Sequence, residues 1–279
     1  MNSMATNPPA ALEFALQVER FYAGLFLAAV PGPDAEPSLG GKLLYAGQLD
    51  TEVRALLVAA NIAGAASVAV SADAAAGKQA IREGVADFLV TSLDEALRIL
   101  KNEIRKRTTV AVCVALEPQA PEADFARQLL QRGVLPDLLP PRSAPAQQFA
   151  AFLSQGARPV VAIHPDVNQV LLAWSVAESP AQWLPKLDAL ALTCLDENMG
   201  APGLDSEAWD SARRWFRLAP RYLGRMAQGL RLLRCDESTA ARFRNQVQEQ
   251  VERGEISVAV EIQSFPPAAS ISAQSSLIP

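Results

Sequence analysis

The stretch from Gly40 to Val70 constrains this chain more than any other. It opens Gly40-Gly41-Lys42-Leu43-Leu44-Tyr45-Ala46-Gly47-Gln48-Leu49-Asp50, runs through the Ala- and Leu-rich Thr51 to Ala63, and closes Gly64-Ala65-Ala66-Ser67-Val68-Ala69-Val70. The apolar run behind the two glycines has the length of a buried strand. Asp50 stands where its carboxylate can accept from the first free N–H groups of a helix. Gly64 stands where that helix would close in a left-handed conformation. Strand, tight turn, helix and second strand make a βαβ unit, whose first turn lies at the carboxyl edge of a parallel sheet.

The alternation continues beyond Val70. A helix is expected over Ala74 to Glu83, a strand over Asp87 to Val90, and a helix after the capping box Ser92-Leu93-Asp94-Glu95, ending in Arg105-Lys106-Arg107. Thr108 to Leu116 reads as a β-branched strand, Glu122 to Arg132 as a helix closed by Gly133, and Leu135 to Leu139 as a short strand. Helices are expected at Ala146 to Gln155 and Asp166 to Glu178 around a strand at Pro159 to Ile163, with a further strand at Asp188 to Cys194. The final third reads as a helix from Ser206 to about Gln228, a strand at Leu230 to Arg234, a helix from Glu237 to Gly254 and a strand at Ile256 to Ile262. Upstream, Ala10 to Ala29 carries apolar residues at helical spacing behind Pro8 and Pro9. The pattern predicts an α/β fold: a Rossmann-like, doubly wound, mostly parallel sheet with helices on both faces, plus an appended C-terminal α/β segment. The expected divisions are an N-terminal helix and linker (1–39), a Rossmann-like domain (40–195), a C-terminal segment (196–262) and a disordered Ser/Pro/Ala-rich tail (263–279).

Composition narrows the function classes. With 279 residues, half of them hydrophobic, the chain can bury one large core or two modest ones. A net charge of −5 provides no global field toward nucleic acid or an anionic membrane. The first ten residues lack a cationic region leading into an apolar core, and the longest apolar stretch is broken by Asn61, Gly64 and Ser67. Cys113, Cys194 and Cys235 are scattered without metal-site or disulfide spacing. The expectation is a cytoplasmic, soluble protein with no nucleic-acid or membrane partner.

Several stretches, taken together, resemble urocanase (urocanate hydratase), in its NAD-binding region and the segment after it. They are Gly40 to Gly47, Ala59-Ala60-Asn61-Ile62-Ala63-Gly64-Ala65, Thr91-Ser92-Leu93-Asp94-Glu95-Ala96-Leu97 and Arg132-Gly133-Val134-Leu135-Pro136-Asp137. Gln228-Gly229-Leu230 followed by Cys235 is similar to the segment holding the family's active-site cysteine, and Glu252 to Ile256 to the strand leading to its Arg-Asp-His motif. The order is collinear from about Phe14 to Ile262, without the family's long N-terminal region or its C-terminal end. The resemblance implies a Rossmann-like fold and, for an intact member, a hydro-lyase of histidine catabolism that uses NAD⁺ as an electrophile toward an imidazole.

The departures fall on the chemistry. The family's G-L-G-G-M-G-G turn is here Gly47-Gln48-Leu49-Asp50-Thr51-Glu52-Val53, so side chains and two carboxylates replace backbone that would approach a pyrophosphate. Two like charges about 4 Å apart repel by roughly 4 kcal/mol at an effective dielectric near 20, comparable to about three decades of affinity. Where an acid would meet the ribose, the chain has Ser71, with Asp73 two residues late. The D-Q-T-S-A-H-D loop keeps only Ser143 and Ala144, and every charged group of G-R-D-H-L-D is gone from Ile262 to Pro267. What the resemblance carries over is Cys235 as candidate catalytic residue and Gly47 and Ser143 as vestigial cofactor residues. Gln48, Asp50 and Ser71, with Arg142, would line the remodelled cleft.

These residues predict an urocanase-like protein with a degenerate NAD site and no cofactor, NAD being expected only if the vestigial site still binds it. Its expected role is that of an interaction or regulatory paralogue, pairing with an authentic urocanase or with itself. The alternatives are a residual urocanate hydratase-type lyase and a module for a different, neutral or cationic small ligand. The bland readings stand beside the sharp ones. Cys235 at a strand end is ordinarily structural, Cys113 and Cys194 are core, and His164 lacks a nucleophile or second histidine beside it. Lys101 to Arg107 reads as a solvated helix end, and Trp209, Trp215, Phe216 and Tyr222 as packing or, with Arg213, Arg214 and Arg217, as a partner surface.

Overall fold

The computed structural model describes residues 9–29, 37–116, 122–197, 206–224, 229–265 and 274–278. The expectations for the N-terminal eight residues, most of the 31–39 linker, the Gly200–Gly203 loop, Gln228, Pro266-Pro267 and the side chain of Trp209 lie outside the described residues. The chain divides into two compact units, residues 17–163 and residues 164–279 with the N-terminal stretch to Leu16.

The first unit alternates helices and strands as the sequence predicts. After α1 (Pro9–Ala28), whose second half belongs to it, come β1 (Leu43–Gln48), α2 (Thr51–Ala63), β2 (Ala66–Ser71), α3 (Ala74–Arg82), β3 (Phe88–Val90) and α4 (Leu93–Lys106). Then follow β4 (Val110–Ala115), α5 (Glu122–Gln131), β5 (Leu138–Leu139), α6 (Ala146–Ser154) and β6 (Arg158–Pro159). The six strands form one parallel sheet in the order β3-β4-β2-β1-β5-β6, a Rossmann-like arrangement. The order reverses at β1: the chain first lays β2, then β3 at the far edge with β4 inserted between them, and then crosses back to lay β5 and β6 on the other side.

Local chemistry explains the boundaries. The Asp50 carboxylate accepts from the Val53 N–H (2.7 Å) and starts α2, and Gly64 closes it at φ +95. The Ser92 hydroxyl accepts from the Glu95 N–H (3.2 Å) at the start of α4, and Arg105 and Lys106 lie in its last turn. All six residues of β2 are buried, as a strand covered on both faces must be. The core on one face joins Tyr45, Val68, Val70, Val112 and Val114 to Leu97, Leu100, Phe125, Leu129 and Phe152. Tyr45 packs its ring against Phe125 (5.8 Å) and Phe152 (6.1 Å).

Asp137 ties three strands together. Its Oδ2 accepts from the Leu43 N–H (2.9 Å), its Oδ1 meets Lys42 Nζ (3.0 Å), its N–H donates to the Leu43 carbonyl and its carbonyl accepts from the Arg158 N–H (2.8 Å). The Pro136-Asp137 pair that carries part of the resemblance is therefore a clamp for β1, β5 and β6.

The second unit departs from expectation. It contains β7 (Gln169–Val176), α7 (Pro180–Asp196), α8 (Ser206–Tyr222), β8 (Leu230–Asp236), α9 (Glu237–Glu252), β9 (Val260–Phe265) and β10 (Gln274–Ile278). The expected helix at Asp166 to Glu178 is the strand β7, and the expected strand at Asp188 to Cys194 lies inside the helix α7. In β7 an apolar run is buried on both faces between β8 and β9, a pattern that periodicity cannot tell from a buried helix. In α7 the buried residues Trp183, Leu184, Leu187, Ala191, Cys194 and Leu195 recur every three or four positions, with Pro180 in the first turn. Pro185 and the short alternation Ala189 to Thr193 disguise that helix.

The four strands form an antiparallel sheet, β10-β9-β7-β8, so the mostly parallel expectation holds for the first unit alone. The unit boundary falls at residue 164, thirty-two positions before the expected 196, because β7 pairs with β8 and β9 and not with the parallel sheet. β9 begins at Val260 and not at Ile256, and the tail expected to be disordered contributes the backbone of β10, paired from Gln274↔Ser264 to Ile278↔Val260. Trp174 centres this unit's core, against Phe243 (4.8 Å) and Phe216 (5.7 Å).

Candidate functional site

In a doubly wound sheet a ligand site forms where the strand order reverses, beyond the carboxyl ends of the two strands that part company. Here those strands are β1 and β5, and a cleft of about 460 Å³ lies at their carboxyl ends, within the first unit. The β1–α2 turn supplies Gln48, Asp50 and Glu52, with Val53 and Leu56 from α2 behind them. The β5–α6 turn supplies Pro140, Pro141 and Arg142, the exit of β6 supplies Val160 to Ala162, and Phe21 comes from α1. Gly24 lets α1 approach this wall: a Cβ there would collide with the Val161 carbonyl.

Gly47 does not present backbone to the cleft as a phosphate-loop glycine would. At φ +83 it turns toward Ser143, and a Cβ built on it would stand 2.6 Å from the Ser143 Cα. The β1 register also shifts between Tyr45 and Gly47, which turns the strand end toward the β5–α6 turn. Ser143 is buried, its hydroxyl donating to the Pro140 carbonyl (2.8 Å) and closing that turn on itself. The two residues expected as cofactor contacts thus meet where the end of β1 packs on the β5–α6 turn.

Asp50 is exposed, and its Oδ1 holds the Val53 N–H. An anion approaching the start of α2 meets this carboxylate already on the N–H, with the exposed Glu52 beside it. Ser71 is not part of the cleft. It is buried at the end of β2, its hydroxyl donating to the Asp73 carbonyl (2.8 Å) and accepting from the Asp73 N–H (3.2 Å). Asp73 in turn caps α3 through the Ala75 N–H (2.8 Å).

Cys235 belongs to the other unit, paired with Val170 across β7 and β8. It is buried, and burial together with Asp236 and Glu237 pushes its thiol well above the ordinary range, the opposite of a nucleophile's environment. Burial likewise raises Cys113 and Cys194 to about 11. The structure therefore brings together Gly47, Gln48, Asp50, Arg142 and Ser143, turns Ser71 into its own loop with Asp73, and carries Cys235 on a strand of the other unit.

Among the remaining candidates, His164 is exposed, Trp215 and Phe216 are buried in the second unit, and Lys101, Arg105 and Lys106 are exposed, Lys106 pairing with Glu103 (3.1 Å). No group of three or more metal-ligating side chains occurs among the described residues, and none of their helices is long and apolar enough to cross a membrane. Sequence reasoning missed Phe21, Pro140, Pro141 and Val160 to Ala162 as cleft residues. Their signal is positional: each gains meaning only once β6 and α1 are known to border the reversal. No protein-family model matches the chain.

Proposed function

We propose that this chain is an urocanase-like protein that works without nicotinamide dinucleotide, as an interaction or regulatory protein and not as a hydratase. The observation that carries the reading is the Asp50 carboxylate on the Val53 N–H. The first turn of α2, which would neutralise a pyrophosphate, is neutralised by the chain itself, and Glu52 extends the negative charge. The packed Gly47–Ser143 contact and the internally bonded Ser71 support the same conclusion. The buried, raised thiol of Cys235 supports the absence of cysteine chemistry.

The test has two parts. Freshly purified protein is denatured and its supernatant examined for nicotinamide dinucleotide, and urocanate absorbance is followed with and without added NAD⁺. The reading expects no released dinucleotide and no loss of absorbance; either one overturns it. Co-purification with an authentic urocanase, or self-association, then identifies the partner.

A second reading is favoured by the cleft itself. Its volume lies within the range of about 300–1,000 Å³ usual for small-molecule sites, and it mixes apolar walls with a few polar groups. As a binding module it would take a ligand other than a phosphate. A thermal-shift screen separates this from a purely protein–protein role.

A further inference from the structure

The cleft at the strand-order reversal carries charges of both signs that do not neutralise one another. Glu52 and Arg142 both line it, and neither makes a hydrogen bond or ion pair among the described residues. Gln48, half-buried on the floor, likewise has no side-chain partner among them. Asp50 uses Oδ1 on Val53. The same cleft has apolar lining, of which Val161 and Pro141 are exposed and Pro140 and Ala162 half-buried, while Phe21, Ala46, Leu56 and Val160 lie buried behind them.

From this arrangement we infer that the cleft binds a compact zwitterion with an apolar body, of the size of a free apolar amino acid or a dipeptide. Its ammonium group lies against Asp50 and Glu52, its carboxylate against Arg142, and its hydrocarbon on Val161, Ala162 and Pro141. The inference rests on the reading that this is no longer a dinucleotide site. Each simpler ligand meets an opposing charge: a phosphate or dicarboxylate meets two carboxylates, and a plain cation meets the Arg142 guanidinium. A neutral apolar molecule makes use of none of the three charges. A zwitterion matches both ends at once, and the guanidinium fork suits a carboxylate in a bidentate contact.

The probe is L-phenylalanine, titrated into the full chain by calorimetry, with phenylalaninamide (no carboxylate), N-acetylphenylalanine (no ammonium) and NAD⁺ run beside it. L-phenylalanine is expected to bind, and each end-blocked analogue to bind at least about tenfold more weakly. Arg142→Gln and Glu52→Gln, both at exposed positions, and Asp50→Asn, which keeps a cap on α2, are each expected to weaken L-phenylalanine by a similar factor. Absence of binding up to millimolar concentration overturns the inference, as does binding that ignores the three substitutions or the blocked ends. Binding of NAD⁺ would instead sink the reading of the site as dinucleotide-free. Failure of both ligands removes the zwitterion and leaves that reading standing.

Discussion

Gly47 and Ser143 meet across the reversal of the parallel sheet, so closely that a Cβ on the glycine would stand 2.6 Å from the serine Cα. The contact joins the end of β1 to the turn after β5, and the neighbours Gln48 and Arg142 line the cleft.

Gly47→Ala is expected to destabilise the chain by about 2–4 kcal/mol, combining the cost of a side chain at φ +83 with the overpacking against Ser143 backbone. Denaturant unfolding measures this. A change within about 0.5 kcal/mol, as at an ordinary surface site, would contradict the contact.

Asp137 and Lys42 form an ion pair whose side chains are 37% and 42% exposed, so the pair itself contributes little. The Leu43 N–H is the more valuable partner. Asp137→Ala is therefore expected to cost about 1–2 kcal/mol and Lys42→Ala less than about 1 kcal/mol, with Asp137→Asn in between. Equal losses for the two alanine variants would place the stabilisation in the ion pair.

Asp188 pairs with Arg231 Nε at 2.9 Å in the second unit, with side chains only 14% and 12% exposed. Burial pushes the carboxyl up from 3.8 to about 6, and the attraction of Arg231 offsets only part of that. The folded chain then holds this proton more tightly than the unfolded one. Its contribution to stability is complete below pH 3.8 and falls as pH rises toward about 6, by something on the order of 3 kcal/mol. The measurement is the stability difference between wild type and Asp188→Asn across that window, which cancels other titrations. A difference that grows in favour of the wild type as pH rises would reverse the sign and refute the burial argument.

All three cysteines are buried with thiols raised by desolvation. Native protein at mildly alkaline pH is expected to react with a thiol reagent only on the timescale of unfolding, and to show three reactive thiols in denaturant. One fast thiol that disappears in Cys235→Ala would restore a catalytic role to that residue.

Legibility in the sequence followed the range of the interaction. Asp50, Gly64, Ser92 and Gly133 act within a few residues of themselves, as caps or left-handed closures, and each does in the structure what its position predicted. The strand at 169–176 escapes a local reading because burial on both faces erases period, and burial is a property of neighbours distant in the chain; the helix at 180–196 keeps a one-sided period but hides it behind Pro185 and the alternation from Ala189 to Thr193. The cleft was half legible. Gln48, Asp50 and Arg142 stand beside strand ends, whereas Ser71 stands equally beside one and turned inward to Asp73.

By itself, then, the sequence determined the alternation of elements in the first unit, the cap on α2 and the negative charge at its start, since these depend on residue type and local spacing. Only the tertiary structure decided that β7 joins an antiparallel sheet, that Gly47 serves Ser143, and that opposite charges share one cleft. Those outcomes depend on which strands become neighbours, and strand order is set by packing over the whole chain, beyond the reach of any window of sequence.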